Sequence, residues 1–350
     1  MGFAVPARAQ DTLNVMFIGD VMAHQPQINA AKTDAGYNFD TCFAHVKPLF
    51  AQADMVIANL EVTLAGAPYS GYPEFSAPDE LAVALKNAGV TALVTANNHS
   101  CDKRKRGIVR TLQVLDSLEI PHTGTFYDTA HRRKTQPLLL QKNNITLAVL
   151  NYTYGTNGIP TPAPTVVNRI DTAQMVKDIA AARALCPDMI AVVMHWGVEY
   201  ELYANREQRN LAQFLQRQGV ALIIGSHPHV LQGMQMHYAP DSSIQSAVVY
   251  SLGNFVSNMT AANTEMGVMA NFCLIKNAGT TRIAAGSYRF TWVYKPTVNG
   301  HRRYYIIPAA EYANIPSFFE RSEAYERMKA SLNNVRELYN KTTMGFTEDW

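Results

Sequence analysis

Six short apolar runs rich in β-branched residues alternate with segments of helical period, and this alternation constrains the fold more than any other feature. The strand-like runs are Asn14–Ile18, Met55–Ala58, Ala92–Thr95, Ile145–Asn151, Met189–Met194 and Ala221–Ile224. The helical segments between them are Asp79–Ala88, Gly107–Leu118, Thr172–Leu185 and Arg206–Gln218. Strand–helix alternation builds layered α/β folds, and short apolar strands between polar turns indicate a sheet covered on both faces. The fold class predicted is therefore α/β.

The pattern changes after Gly225, where strands follow one another with short turns. These strands are Met234–His237, Ser246–Ser251, Met266–Ile275 and Arg282–Tyr294, and "KNAGTTR" predicts a hairpin between the last two. The segment that begins "PSFFERSEAY" predicts a C-terminal helix with Pro316 near its start. The stretch "NGIPTPAPTVVNR" reads as a surface loop, because strand–helix alternation resumes after it. We therefore predict one domain over residues 13–350, with residues 1–12 as a terminus outside it.

The composition is that of a globular protein without bulk charge. Hydrophobic residues make up 47% and charged residues 17% of the chain, which excludes a disordered class. The net charge of +2 gives no indication of nucleic-acid binding. No apolar run reaches the roughly 18 residues that a membrane span needs. The four cysteines form no C-x-x-C pair, so neither a zinc–thiolate site nor a disulfide framework is predicted.

The N-terminal stretch "MGFAVPARAQD" resembles the end of an export signal. Ala7-Arg8-Ala9 fits the small-x-small cleavage rule, with Gln10 or Asp11 as the first mature residue. We expect an exported protein, periplasmic or on the cell surface, whose leader is present here only in truncated form. The alternative is an unstructured native terminus.

Polar side chains follow five of the predicted strands at the point where each strand ends. They are Asp20; Asn59 and Glu61; Asn97, Asn98, His99 and Asp102; His195, Glu199 and Glu201; and His227 and His229. Each alone is most simply a structural residue. Because ligands bind beyond the carboxyl ends of strands in α/β sheets, five such endings together indicate one shared metal site.

The donor types indicate the metal. Imidazole, carboxylate and amide oxygen without thiolate suit Mn, Fe or Zn. Six candidate ligands exceed what one tetrahedral ion needs, so two divalent ions bridged by a carboxylate are predicted. Such pairs lie roughly 3.5–4 Å apart and activate a water for a displacement reaction.

Six motifs in a fixed order carry a family resemblance. The motifs "GDVMAH", "NLEVTL", "TANNHSCD", "HWGVEYE", "GSHPHV" and "YSLGNF" span roughly residues 14–256. Together they resemble the CapA/PgsA family of poly-γ-glutamate capsule biosynthesis proteins, within the calcineurin-like metallophosphoesterase superfamily. The resemblance implies a four-layer α/β/β/α sandwich with the site at one sheet edge. The C-terminal third matches only as strands and a helix.

The resemblance also implies roles for individual residues. The implied metal ligands are Asp20 and His229 for the first ion, Glu61 as the bridge, and Asn98, His195 and His227 for the second. His99 is implied to protonate the leaving group, and we expect Asp102 to hold that histidine and raise its basicity. The chain departs from the superfamily pattern in three places. His24 stands four residues after Asp20 instead of two, Glu61 replaces an aspartate, and Gly-Asn-His becomes Ala-Asn-Asn-His. The run "KRKR" between Asp102 and Gly107 differs from most CapA-like chains, in which a glycine closely follows that aspartate.

Other residues are placed around the ligands. His24, Asn59, Asn97 and Asn254 are expected to support the ligands or contact substrate, and Glu199 to hold a ligand histidine. Trp196 and Tyr200 either wall a substrate pocket or pack in the core. Arg106 ends the basic run before the helix at Gly107, where a helix N-terminus and cations favour an anion; the alternative is a solvated charged loop.

Three functions are compatible with these features. The first is a metal-dependent hydrolase of a small phosphoester or peptide substrate, with a metal-activated water and His99 as general acid. The second is a non-catalytic assembly or anchoring factor that binds an exported anionic polymer, with capsule-synthesis membrane proteins as partners. The third, a cytoplasmic nucleotide phosphatase, is disfavoured by the cleavage site and by the lack of a base-binding motif.

Overall fold

The computed structural model describes residues 10–349, so the predicted cleavage site Ala7-Arg8-Ala9 lies outside the described residues. The strands are β1 Asp11–Val21, β2 Lys32–Thr33, β3 Gly36–Tyr37, β4 Met55–Leu60, β5 Ala92–Val94, β6 His122–Thr123, β7 Thr125–Phe126, β8 Leu138–Lys142, β9 Ile145–Thr153, β10 Val166–Val167, β11 Met189–His195, β12 Leu222–Ser226, β13 Leu231–Tyr238, β14 Ile244–Leu252, β15 Asn254–Val256, β16 Met266–Asn277, β17 Thr280–Tyr294, β18 Thr297–Val298, β19 His301–Arg302, β20 Tyr305–Pro308 and β21 Thr347–Glu348. The helices are α1 Gln25–Ala31, α2 Lys47–Phe50, α3 Glu80–Ala88, α4 Arg104–Ser117, α5 Thr129–Thr135, α6 Thr172–Ala184, α7 Arg206–Arg217, α8 Ala309–Tyr312 and α9 Ser322–Thr342. None of these described helices combines the length and apolar character needed to cross a bilayer.

The main sheet consists of two halves. The first half has the order β6-β5-β4-β1-β16-β17, and the second has β14-β12-β11-β9-β8. Strands β1, β4, β5 and β6 run parallel, as do β9, β11, β12 and β14. The halves meet where β14 pairs with β17 at Ile244 and Ile283, and where β15, which follows β14, pairs with the end of β1.

Side-chain alternation divides the structure into layers. On β1, Leu13, Val15 and Phe17 enter a central core shared with the other half, whereas Met16 and Ile18 face helices. The same alternation divides the apolar side chains of β11 into an inner and an outer pair, Ala191 with Val193 and Val192 with Met194. Helices α2 and α3 cover the outer face of the first half, and α6 and α7 cover the second. The predicted four-layer sandwich is therefore confirmed.

The predicted strands and helices are present, with shifted boundaries at both ends of the chain. Strand β1 begins at Asp11, so residues 11 and 12 belong to it rather than to an external terminus. The predicted hairpin forms, with Ala278 and Gly279 at φ 49° and 84°, the values that a tight two-residue turn requires. The predicted start of the C-terminal helix is wrong: Pro316–Phe318 is a short 3-10 helix, and α9 begins at Ser322.

Candidate metal centre

The candidate centre lies where parallel strands of both halves end. The last residues of β1 bulge at Asp20 and Val21, where the backbone passes against the turn before β15. Asp20 donates its N–H to the Gly253 carbonyl over 3.0 Å. A side chain at Gly19 would meet that carbonyl at 2.0 Å, so only glycine permits this approach. The Asp20 carboxylate is thereby placed at the sheet edge.

Two buried carboxylates and two histidines form the middle of the centre. Asp20 and Glu61 are completely buried. Nδ1 of His229 lies 3.3 Å from Asp20 Oδ2, and its Nε2 lies 3.6 Å from Glu61 Oε1. On the other side, Nε2 of His195 lies 3.5 Å from the same Glu61 oxygen. Glu61 therefore stands between His195 at the end of β11 and His229 in the loop after β12.

Three buried polar atoms of this cluster have no hydrogen-bond partner among the described residues. They are both carboxylate oxygens of Glu61 and Nδ1 of His227. A buried carboxylate without a partner is costly, and a divalent cation supplies the missing charge and ligation. The donor set thus fits a metal.

Three groups of side chains place ligand atoms within 4.8 Å of one another. They are Asp20, Glu61 and His229; Glu61, His195 and His227; and Glu199, His227 and His229. Glu61 belongs to two of these groups. Asn98 adds an amide oxygen, because its Oδ1 lies 2.9 Å from Nε2 of His195. The structure therefore brings together all six predicted ligands.

The protonation states of His195 and His227 suit metal binding, whereas hydrogen bonding and charge from Asp20 outweigh burial and raise the pKa of His229. Burial lowers the pKa of His195 well below its ordinary value, and burial with the charge of His229 lowers the pKa of His227 to about 3. Both rings are neutral near pH 7, the state in which imidazole ligates. Burial and the charge of Asp20 raise the pKa of Glu61 well above its usual range. Burial also tends to raise the pKa of Asp20, but hydrogen bonding and charge from His229 outweigh it and lower that pKa.

His99 and Asp102 form a pair beside the centre. His99 Nδ1 lies 2.8 Å from Asp102 Oδ2, and the same oxygen accepts the Phe75 N–H at 2.6 Å. The Phe75 ring packs edge-on against His99 at 4.7 Å between centroids. These contacts fix the imidazole with Nδ1 toward Asp102 and leave Nε2 free of that carboxylate.

Three of the predicted supporting asparagines touch the ligands or the His99 loop. Asn59 donates to Asp20 Oδ1 over 2.8 Å and lies 3.3 Å from Nδ1 of His195. Asn97 donates to Asn59 over 3.2 Å and accepts the His99 N–H at 3.1 Å. Asn254 Oδ1 lies 3.0 Å from Nδ1 of His229.

His24 lies behind the centre, outside the three ligand groups. Its Nδ1 faces the Gln27 side chain at 3.2 Å and the Asn258 N–H at 3.3 Å. Its ring packs edge-on against Phe75 at 5.3 Å, and burial lowers its pKa to about 4. His24 therefore packs against Phe75, which in turn contacts His99. It does not take the place of the histidine that the superfamily pattern has two residues after the aspartate.

Trp196 is not part of the site. Its indole N–H donates to the Tyr250 carbonyl over 2.9 Å, and the side chain packs in the outer core with α7. The reason is the two-residue period of β11, which turns residue 196 away from the face that His195 occupies. Of the two interpretations of this tryptophan, the packing interpretation is correct.

The basic run makes local contacts. Arg106 Nη2 donates to the Ala67 carbonyl over 2.8 Å, and Arg104 pairs with Glu74 at 3.2 Å. Both arginines are exposed, so these contacts favour the solvated-loop interpretation over an anion site. Tyr200 is 45% exposed at the outer edge of the centre.

Sequence reasoning missed two residues that touch the ligands. Ser226 Oγ lies 3.2 Å from Nδ1 of His195. The Tyr154 ring lies 4.5 Å from the His227 ring and almost parallel to that of His195, at 6.3 Å and 10°. Tyr154 follows β9, which runs parallel to β11, so its strand ends at the same edge. The end of β9 at this edge was the signal by which Tyr154 could have been placed at the site.

Known proteins resemble this chain in sequence and in fold. The family model described as "Bacterial capsule synthesis protein PGA_cap" matches residues 14–259. The "PGA biosynthesis protein CapA" of Bacillus subtilis (strain 168) is 28% identical over 290 residues, which cover 79% of this chain and 72% of the relative. The NAD nucleotidase NadN of Haemophilus influenzae superposes with a TM-score of 0.52 at 12% identity, over 97% of this chain and 64% of that protein. The calcineurin-like phosphoesterase YfkN of Bacillus subtilis aligns over 94% of this chain and 99% of that chain at 12% identity, with a TM-score of 0.45.

The likeness to NadN concerns the fold, a mixed α/β arrangement, and not the reaction. The family match is different, because it runs through every strand end that contributes to the candidate centre. Asp20, Glu61, Asn98, His195 and His229 all lie inside it. The chain therefore belongs to the PGA_cap family of bacterial capsule synthesis proteins.

Proposed function

We propose that this CapA-like capsule biosynthesis protein is a metal-dependent hydrolase with two divalent ions, Mn, Fe or Zn. The observation that carries the proposal is the unpartnered, fully buried Glu61 carboxylate between His229 and His195. A purely structural carboxylate at this depth would be hydrogen-bonded. Glu61 is the carboxylate shared by two ligand groups, so it is the residue that would bridge two ions.

The chain's own residues divide into two sides. Asp20 and His229 would hold one ion, and Asn98, His195 and His227 the other, with Glu61 common to both. When bound, such ions polarise a substrate oxygen and lower the pKa of a water. Asn59 and Asn254 hold the orientation of their ligand partners through the hydrogen bonds given above.

His99 would deliver the proton to the leaving group. Its Nδ1 lies 2.8 Å from the Asp102 carboxylate, which orients the ring and leaves Nε2 toward the site. That leaves Nε2–H as the proton donor, and Phe75 keeps the ring in place. Asp102 thus acts through His99 and not on the substrate.

The first experiment is elemental analysis of protein purified without chelator, alongside His227→Ala. About two equivalents of Mn, Fe or Zn in the wild type and a loss in the variant would support the two-ion site. A screen of phosphodiesters, phosphomonoesters and peptides with the loaded protein then tests hydrolysis. Wild-type protein that takes up no metal after reconstitution would contradict the proposal.

A second function is an assembly or anchoring factor that binds an exported anionic polymer. The family description and the name of the Bacillus subtilis relative favour it, since both describe synthesis and not cleavage. An exported location and capsule-synthesis membrane partners belong to either proposal. Binding of poly-γ-glutamate that persists after chelation, without cleavage, would favour this second function over the hydrolase.

A further inference from the structure

Glu199 belongs to the third ligand group of the centre, and the proposed function gives it no role. Its carboxylate lies with His227 and His229 in a set of ligand atoms that are all within 4.8 Å of one another. Glu61, the carboxylate shared by the other two groups, is completely buried, whereas Glu199 reaches solvent. The two carboxylates therefore approach the ligand histidines from the buried side and from the solvent side.

The backbone next to Glu199 is attached to the turn that carries the two histidines. The Tyr200 N–H donates to the Pro228 carbonyl over 2.8 Å. Pro228 separates His227 from His229, so this bond fastens the loop to the middle of the ligand turn. The Tyr200 hydroxyl also interacts with the Glu199 carboxylate. Glu199 is therefore held beside both imidazoles.

Two buried glutamines hold the same loop on the other side of Glu199. Gln232, on β13, donates its side-chain N–H to the Glu201 carbonyl over 2.8 Å and accepts from the Gln208 side chain at 2.8 Å. The Gln208 oxygen accepts the Asn205 N–H at 2.9 Å. Both glutamines are buried, and a buried amide is costly unless its polar atoms are bonded. Here the bonds lead to the loop backbone, so the loop is fixed at several points and is not a free surface segment.

The two sides of the centre differ in their number of ligands under the proposed function. The first ion would have three and the second four: Asp20, His229 and Glu61 for the first, and Asn98, His195, His227 and Glu61 for the second. Four donor atoms are the usual set for Zn, so the first side is the one with room for another protein ligand. Glu199 shares a ligand group with His229, the histidine of that side.

We propose that Glu199 is a further metal ligand, which supplies a carboxylate oxygen to the first ion from the solvent side, and that Gln208 and Gln232 are positioning residues for its loop. The inference rests on the proposed function, because it assigns a ligand to one of the two ions. It adds that binding of the first ion depends on a loop at the surface, whereas Asn98, His195 and His227 hold the second from buried positions.

The test is calorimetric titration of the metal-free protein with Zn²⁺ and, separately, with Mn²⁺, combined with elemental analysis. Wild type should bind about two equivalents. Glu199→Ala should keep one ion and bind the other about 100-fold more weakly, the upper end of what loss of an orienting partner costs. Glu201→Ala is the matched control. Glu201 lies on the same loop, is exposed, and is absent from the ligand groups found among the described residues.

Gln232→Met tests the positioning role. It removes the bond to the Glu201 carbonyl and nearly conserves the side-chain volume. One ion should bind about 10-fold more weakly and the other as in the wild type. Thermal unfolding in chelator reports how far the fold itself is weakened. Equal weakening of both ions, or of neither, overturns the positioning role, because a general packing defect does not select one ion.

The outcomes separate Glu199 from the hydrolase. Two ions bound by Glu199→Ala with wild-type affinity overturn the ligand role alone, and loss of both ions from a folded variant overturns the assignment to one side. Two ions without hydrolysis of any substrate count against the hydrolase and not against Glu199. If the wild type binds one ion, the two-ion centre fails; weaker binding in Glu199→Ala then supports the ligand role, and unchanged binding overturns it. A wild type that binds neither metal overturns both proposals.

Discussion

Nδ1 of His229 lies 3.0 Å from the side-chain oxygen of Asn254, while its Nε2 faces Glu61 at 3.6 Å. This geometry fits the tautomer in which Nδ1–H donates to Asn254 and Nε2 is free to ligate. The amide nitrogen of Asn254 is itself held by the Thr264 carbonyl at 3.0 Å. Asn254 therefore sets the direction in which His229 presents its lone pair.

Replacement of Asn254 by alanine should weaken metal binding by about 10- to 100-fold, the usual cost of losing such an orienting partner. Chelator competition measures the affinity. Asn334→Ala, on the exposed side of α9, serves as the control and should leave the affinity unchanged. An Asn254→Ala protein with wild-type affinity would show that His229 is oriented by other contacts.

The C-terminal third, which lies beyond the family match, should also affect the centre. Lys295 pairs with Glu265 at 3.2 Å and donates to the Met259 carbonyl at 3.0 Å, so it holds the loop that fixes Asn254. Lys295→Met should lower the free energy of unfolding by about 1.5–3 kcal/mol, because Glu265 loses one of its two charged partners. It should also weaken metal binding.

Urea unfolding of the metal-free protein and chelator competition check both parts of this prediction. Arg327→Ala is the control, since Arg327 contacts the other Glu265 oxygen from a largely exposed position. Its effect on stability should be well below that of Lys295→Met. If Lys295→Met binds metal as tightly as the wild type, the C-terminal third does not influence the metal centre.

Glu61→Gln should have opposite effects on the metal-free and the metal-loaded protein. Without metal, the variant should be at least as stable as the wild type, because burial and the charge of Asp20 oppose ionisation of the Glu61 carboxyl and a neutral amide avoids that cost. With metal at about 100 times its Kd, the wild type should gain about 2.7 kcal/mol that the variant lacks. Thermal unfolding with and without chelator distinguishes the two effects. A variant that is less stable in both states would indicate a structural carboxylate.

His99→Ala should remove turnover without removing metal. A loss of general acid catalysis lowers kcat by about 100- to 10,000-fold, whereas the ligand side chains remain in place. His99→Gln, which fills more of the space against Phe75, controls for a packing defect. Elemental analysis of both variants accompanies the rate measurements. Full turnover in either variant would contradict the role given to His99.

Asp188 lies at the edge of the sheet opposite the centre, directly before β11. It should make the stability of the fold depend on pH. It pairs with Lys276 at 2.7 Å and accepts from Thr146 N–H and the Thr281 hydroxyl. Burial tends to raise its pKa, but these partners outweigh burial and lower it below the ordinary value near 3.8. Its contribution is therefore fully present above the unfolded-state pKa and is lost as pH falls through the lower folded-state pKa.

Asp188→Asn should accordingly cost about 1.5–3 kcal/mol at pH 7, the range for hydrogen bonds to a charged group. The difference from wild type should shrink as the pH falls below about 4. Urea unfolding across this range measures it, with the exposed Asp34→Asn as control. A difference that does not change with pH would exclude the carboxylate charge as its cause.

The ligands could be predicted because apolar runs stop abruptly where strands reach a shared edge, and Asp20, His195 and His227 each mark such a stop. Trp196 was left with two interpretations although the period of β11 favours one, since neighbours in a strand face opposite ways and residue 196 follows His195. Tyr154 was missed because tyrosine is not among the ligand types sought at strand ends. The contacts of Arg106 and the Asn254–His229 bond depend on the path of loops, which local sequence does not determine.

The two halves of the sheet are joined through the backbone at only a few positions, the Ile244–Ile283 pair and the pairing of β15 with the end of β1. Asp20, Glu61 and Asn98 belong to the half that contains β1, and His195, His227 and His229 belong to the other. At the opposite edge, the Asp188–Lys276 ion pair also connects the halves. An ion bound between Glu61 and His195 would therefore act as a cross-link, fastening the two leaves of the sandwich at the end where substrate enters.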